Sequence, residues 1–235
     1  MDHSAIPGEA MNNSWWLKLQ ERLWGMAPWD AERISDEWFR AHFDYAANVV
    51  HQWMGSALDM RTARLLNFGC GDGIMSWSTF EHVQRDQLLP ILQDLHACLR
   101  PGGVFFLQIE PLFHSPYGSH LRRYDEVPWH HLLVPEEVLW STIEAHEGPI
   151  NAEEVDFGFA DFGVDGYKRF VFKEYQQLNR LTADELVDLV RQAGFVVEQQ
   201  ERRSVDLLPP QQLLVQYSES VLRNNEIFLL LRKGA

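Results

Sequence analysis

The sequence predicts an α/β protein with an open sheet, a helical layer ahead of it, an inserted cover within it and an antiparallel closing strand pair. Three observations carry this. ARLLNF, Ala63 to Phe68, is a short apolar run closed by glycines, which suits a strand buried on both faces. QLLPILQDLHACLR places Leu88, Ile91, Leu92, Leu95 and Leu99 on one helical stripe and leads through Pro101, Gly102 and Gly103 into the strand-like run VFFLQIE. The tail then reads as a helix, ADELVDLVRQA, followed by two strands, FVVEQQE and EIFLLLRK.

Each element has its local cause. Residues 1–60 read as a helical layer: in SDEWFRAHFDYAANVVHQWM, Ser35 is a good N-cap, apolar positions recur at three and four, and Gly55 stops the helix. Most of the nine tryptophans fall in this segment, which predicts aromatic packing onto the main domain. Asp86 is the expected cap of the next helix, with Pro90 tolerated in its first turn. Residues 61–111 and 179–235 form the core. Thr182 and Glu185 make a capping box and Gly194 a C-terminal stop. Between them, residues 112–178 are irregular, rich in His and aromatics, and acidic from Glu153 to Asp165, as a substrate cover is.

Composition removes several function classes. With 20 Lys and Arg against 34 Asp and Glu, the net charge of −14 repels phosphate backbones and anionic lipid. No nucleic-acid or membrane partner is expected. Two cysteines and no apolar leader predict a soluble, reduced, cytoplasmic protein.

The run LLNFGCGDGIMSWSTFEHV carries the functional signal. Its glycines, Gly69, Gly71 and Gly73, have G-x-G-x-G spacing, which fits neither the dinucleotide fingerprint nor a P-loop ending in Lys-Ser/Thr. RLLNFGCGDG, STFEHV, LRPGGVFFLQIEP, LTADELVDLVRQAGFVVEQQE and EIFLLLRK, in that order, resemble class I S-adenosylmethionine-dependent methyltransferases over roughly half the chain. The resemblance implies a Rossmann-like methyltransferase sheet, S-adenosylmethionine as cofactor and a small or medium-sized methyl acceptor. It implies that Asn67, Gly69, Cys70, Gly71, Asp72 and Gly73 line the methionine and ribose, and that Ser78, Thr79, Phe80, Glu81 and His82 border the adenine or methyl side. Asn67 departs from the family's usual acidic residue; its amide oxygen still accepts, but it brings no charge toward a cationic cofactor.

A second departure is larger. Only IMSW separates Gly73 from Ser78, where the family has a segment on the order of 50 residues that includes the strand bearing the ribose carboxylate. The chain therefore reads as lacking the second to fourth strand region, an internal deletion. Because parallel strands need a crossover of about a dozen residues, IMSW is not expected to lie as a strand beside ARLLNF. The deletion would leave the first strand at an exposed sheet edge, open to pairing with a second copy. It also sets up an alternative function: a methyltransferase-like protein with impaired catalysis and a binding role.

Methyl transfer to an acceptor that carries a proton needs a base near the strand ends, and His114, Tyr117 and His120 in EPLFHSPYGSHL are the candidates. His114, His120, His130 and His131 match no HExxH or paired-cysteine spacing, so no metal site is expected.

Overall fold

The computed structural model describes residues 36–60, 63, 65–66, 71–147 and 159–234. It is an α/β fold built on an open five-stranded sheet, with the Rossmann-like character and antiparallel closing strand that the sequence predicts. The strands are β1 (Leu65–Leu66), β2 (Gly71–Trp77), β3 (Leu99–Ile109), β4 (Phe195–Ser204) and β5 (Asn224–Lys233), in the spatial order β1-β2-β3-β5-β4. β1, β2 and β3 are parallel, while β5 runs antiparallel to both β3 and β4.

One expectation is corrected. IMSW is a strand beside β1: Leu65 pairs with Gly73 and Leu66 with Ile74. A long crossover is needed when two parallel strands pair along their length. Here β1 pairs through two residues with the middle of β2, so the connection only has to recover the two or three residues by which the strands are offset, roughly 7–10 Å. The glycine sequence is thus partly consumed in making a strand, and β1 is an edge strand among the described residues.

β3 is the centre of the sheet. Val104, Phe105, Phe106 and Leu107 are fully buried, so alternate residues feed layers on opposite faces. On one face Phe105 and Leu107 meet Leu88 and Leu92 of α2 (Arg85–Cys98). Leu186, Val187 and Val190 of α6 (Ala183–Gln192) complete that layer. On the other face Phe106 and Phe228 pack on Trp53 of α1 (Asp36–Gly55), with ring centroids 5.8 and 5.6 Å away. α1 is the described part of the expected helical layer; residues 1–35, with Ser35 and the earlier tryptophans, and the Trp38 side chain lie outside the described residues.

Details of the local reading shift. α2 begins at Arg85 with Gln84 as its cap, placing Asp86 in the first turn. Pro101, Gly102 and Gly103 do not merely end the helix. They form an irregularity inside β3, where the register against β2 jumps from Gly71↔Leu99 to Gly73↔Val104. The capping box of α6 is complete, Glu185 N donating to Thr182 Oγ1 and Thr182 N to Glu185 Oε2.

The cover is more regular than its sequence suggests. It contains α3 (His130–Leu133), α4 (Glu136–Glu144) and α5 (Phe159–Gln177), around a separate apolar cluster that includes Leu121, Leu139, Ile143, Tyr167, Val171 and Tyr175. Short helices α7 (Gln211–Leu214) and α8 (Glu219–Arg223), which no periodicity announced, join β4 to β5.

Candidate functional site

Because β2 and β3 are parallel and in register at Trp77↔Gln108, their carboxyl ends open at the same edge, the place where α/β sheets hold ligands. The chain leaves β2 through Ser78, whose φ of 41° turns it sharply into the 3₁₀ turn Phe80–His82. That turn is pinned from below and from the side. Ser78 N and Oγ donate to Gln108 Oε1 at 2.9 and 3.1 Å, and Gln108 Nε2 donates to Glu226 Oε1 at 2.7 Å. Burial holds the Glu226 carboxyl above the usual range, while the Gln108 hydrogen bond opposes it. Asn179 closes the other side: its Nδ2 donates to Phe80 O (2.5 Å) and Val83 O (3.1 Å), and its N–H to Glu81 O (3.0 Å).

Glu81 then points inward. It is 5 % exposed, and neither carboxylate oxygen has a hydrogen-bond partner. Burial, chiefly, pushes its pKa up to about 8. Across from it stands His120, on left-handed backbone (φ 61°), its ring 5.2 Å from that of the exposed His82. Burial first, then the neighbouring His82, lowers the His120 pKa to about 4, so its imidazole is neutral. A cavity of about 10 Å³, roughly one water in size, is lined by Glu81, Ile109, Pro111, Gly118, His120 and Asn179.

Of the base candidates, His120 is the one that meets the Ser78–His82 turn. His114 turns toward Tyr217, 5.0 Å between rings, and Tyr117 lies under the guanidinium of Arg122 at 4.4 Å. His130 Nδ1 is paired with Asp125 at 2.5 Å, and His131 is committed to the Phe113 carbonyl. Gly71, Asp72 and Gly73 are at the opposite end of β2, about 20 Å from the turn by strand rise. There Asp72 is buried and ion-paired with Arg100 at 2.6 Å. Asn67, Gly69 and Cys70 lie outside the described residues. Gln108 and Asn179 are the positioning residues that sequence reasoning missed; a lone glutamine inside the apolar run VFFLQIE was the available signal for the first.

His131 gives the site a pH signature. Burial pushes its pKa down to about 4, so protonation favours the unfolded chain. Stability is complete above 6.5 and falls as pH drops toward 4, by about 3 kcal/mol for this group. His131→Gln is expected to remove the His131 share of the pH 4–6.5 slope of the urea-midpoint profile and to leave the share of His120.

Compared with models of known families and with curated proteins, the chain finds no match. Among solved structures it is similar to a SAM-dependent methyltransferase from Archaeoglobus fulgidus, at 12 % identity and TM-score 0.32, covering 72 % of this chain and 62 % of that one. It is also similar to the cyclopropane synthase MmaA2 from Mycobacterium tuberculosis, at 14 % identity and TM-score 0.36, covering 70 % and 56 %. A third is the phosphoethanolamine N-methyltransferase 2 of Haemonchus contortus in complex with S-adenosyl-L-methionine, at 10 % identity and TM-score 0.32, covering 70 % and 33 %. The chain spans a third to three fifths of the length of these structures. Likenesses this slight carry no reaction across. No described helix is long and apolar enough to cross a membrane.

Proposed function

We propose that this chain carries the acceptor side of an S-adenosylmethionine-dependent methyl-transfer site, for a small or medium-sized acceptor, with an adenosine side too short to hold the cofactor tightly. The observation that supports it is the joint placement of two segments. The STFEHV turn after β2 and the start of the cover after β3 lie at one carboxyl edge of a sheet that continues into an antiparallel β5 and β4. This is the strand order the resemblance implies once its second and third strands are removed. The shortened adenosine side follows from Gly71–Gly73 being spent in β2, and from the absence of a strand beyond β1 among the described residues.

On this reading His120, neutral and next to the turn, is the base of choice, while Gln108 and Asn179 hold the turn in place. The cover excludes water from the acceptor. A binding role without catalysis is the second reading, favoured by how little space the described edge encloses.

Methyl-labelled cofactor offered with a panel of amine, thiol, hydroxyl and carboxylate acceptors separates the two. The proposal expects slow transfer that rises in proportion to cofactor concentration up to about 1 mM. Saturation at micromolar cofactor would overturn the shortened adenosine side. No transfer at any concentration would leave the binding role.

A further inference from the structure

Glu81, His82 and His120 each offer a ligand atom, and these atoms all lie within 4.8 Å of one another. Two of the three residues are in an unfinished state. Both carboxylate oxygens of Glu81 and Nε2 of His120 are enclosed without a hydrogen-bond partner. Buried polar atoms are normally satisfied, and each one left unmade costs about 1–3 kcal/mol. Three such atoms facing one small cavity point to something that sits there.

His120 contributes a buried ring with no partner at Nε2, the lone pair an imidazole offers to a metal when its proton is on Nδ1. Beside His82, Glu174 Oε2 lies 3.6 Å from Nδ1, a carboxylate in the supporting position that metal-bound imidazoles commonly have.

We propose that Glu81, His82 and His120 bind a divalent transition-metal cation at the carboxyl edge of β2, with two imidazoles and one carboxylate as the protein ligands. This donor set suits Zn²⁺ and its first-row neighbours rather than Ca²⁺ or Mg²⁺, which favour oxygen. Ligand atoms around tetrahedral Zn²⁺ stand roughly 3.4 Å apart, so the present spacing closes with a movement on the order of 1 Å. His82, at the surface, is the member whose side chain can shift with least repacking. Three protein ligands leave a fourth position for water or an acceptor atom. The proposal is independent of whether the chain holds S-adenosylmethionine, and His120 Nε2 serves either as base in the metal-free chain or as ligand in the metal-bound one, where the water in the fourth position takes over as proton acceptor.

The four histidines that the sequence offered for a metal do not converge. One of them, His120, finds its partners in the STFEHV turn instead. The distance of about 38 residues between His82 and His120 hides the set from any spacing rule.

The test is calorimetric titration of the full chain with Zn²⁺, paired with visible absorption after Co²⁺ addition. The expected result is one equivalent bound with micromolar affinity and a Co²⁺ spectrum of tetrahedral or five-coordinate intensity. Glu81→Gln and His120→Asn should each weaken binding at least 100-fold, and His82→Ala about 10-fold or more. His82 is exposed, so its variant keeps the test valid if the buried variants fail to fold. His114→Ala should leave binding unchanged. Absence of stoichiometric binding, or binding lost with His114→Ala but kept in His82→Ala, would overturn the site.

Discussion

Replacing Gly118 with Ala is expected to cost about 3 kcal/mol or more, enough to deplete the folded chain. Gly118 sits where the cover folds back on itself just after β3, its N–H bonded to Ser115 O at 3.2 Å. A Cβ there would collide with the Leu112 and Phe113 carbonyl oxygens and with the Phe113 carbonyl carbon. Backbone atoms cannot swing aside as a flexible side chain would. Leu112 is itself tied to Asn225 O at 2.8 Å, and Phe113 O accepts from His131 at 2.7 Å. The turn must therefore open, and opening it moves His120, two residues on, away from Glu81. Gly102→Ala is the matched control: its φ of +75° strains any side chain, but nothing lies within 4 Å, so about 1 kcal/mol is expected. Thermal or urea unfolding of the two variants checks the contrast. Equal losses would show that the close approach at Gly118 has no weight.

Much of the sheet was legible because its strands are short apolar runs bounded by glycine and proline, and its helices carry clear stripes. Leu88 and Leu92 of α2, and the Thr182–Glu185 box of α6, lie in the structure as periodicity and capping chemistry require. The cover was not legible as helices. Its apolar residues, among them Tyr167, Val171 and Tyr175 on α5, serve a cluster made by tertiary contact between α4, α5 and the loop after β3. No single window of sequence shows that cluster whole.

At the site, the sequence singled out the turn and missed what positions it. Ser78 to His82 stood out by resemblance, yet the inward turn of Glu81 depends on Asn179, nearly a hundred residues away. The glycine sequence has a different setting in the structure. Gly71 and Gly73 read as a ligand loop, but with so short a stretch before Ser78 they are needed to start a strand, and Asp72 is held by Arg100. A motif defined by spacing keeps its letters when its structural context changes.

The central claim is that this chain keeps the acceptor side of a methyl-transfer site and has lost the adenosine side. Equilibrium titration of S-adenosylmethionine into chain verified at its 27.4 kDa mass tests it most directly. A complete site of this class would saturate at micromolar cofactor, and loss of one side should weaken binding about 1000-fold, or roughly 4 kcal/mol. The account predicts no saturation below about 1 mM. A micromolar dissociation constant would contradict it.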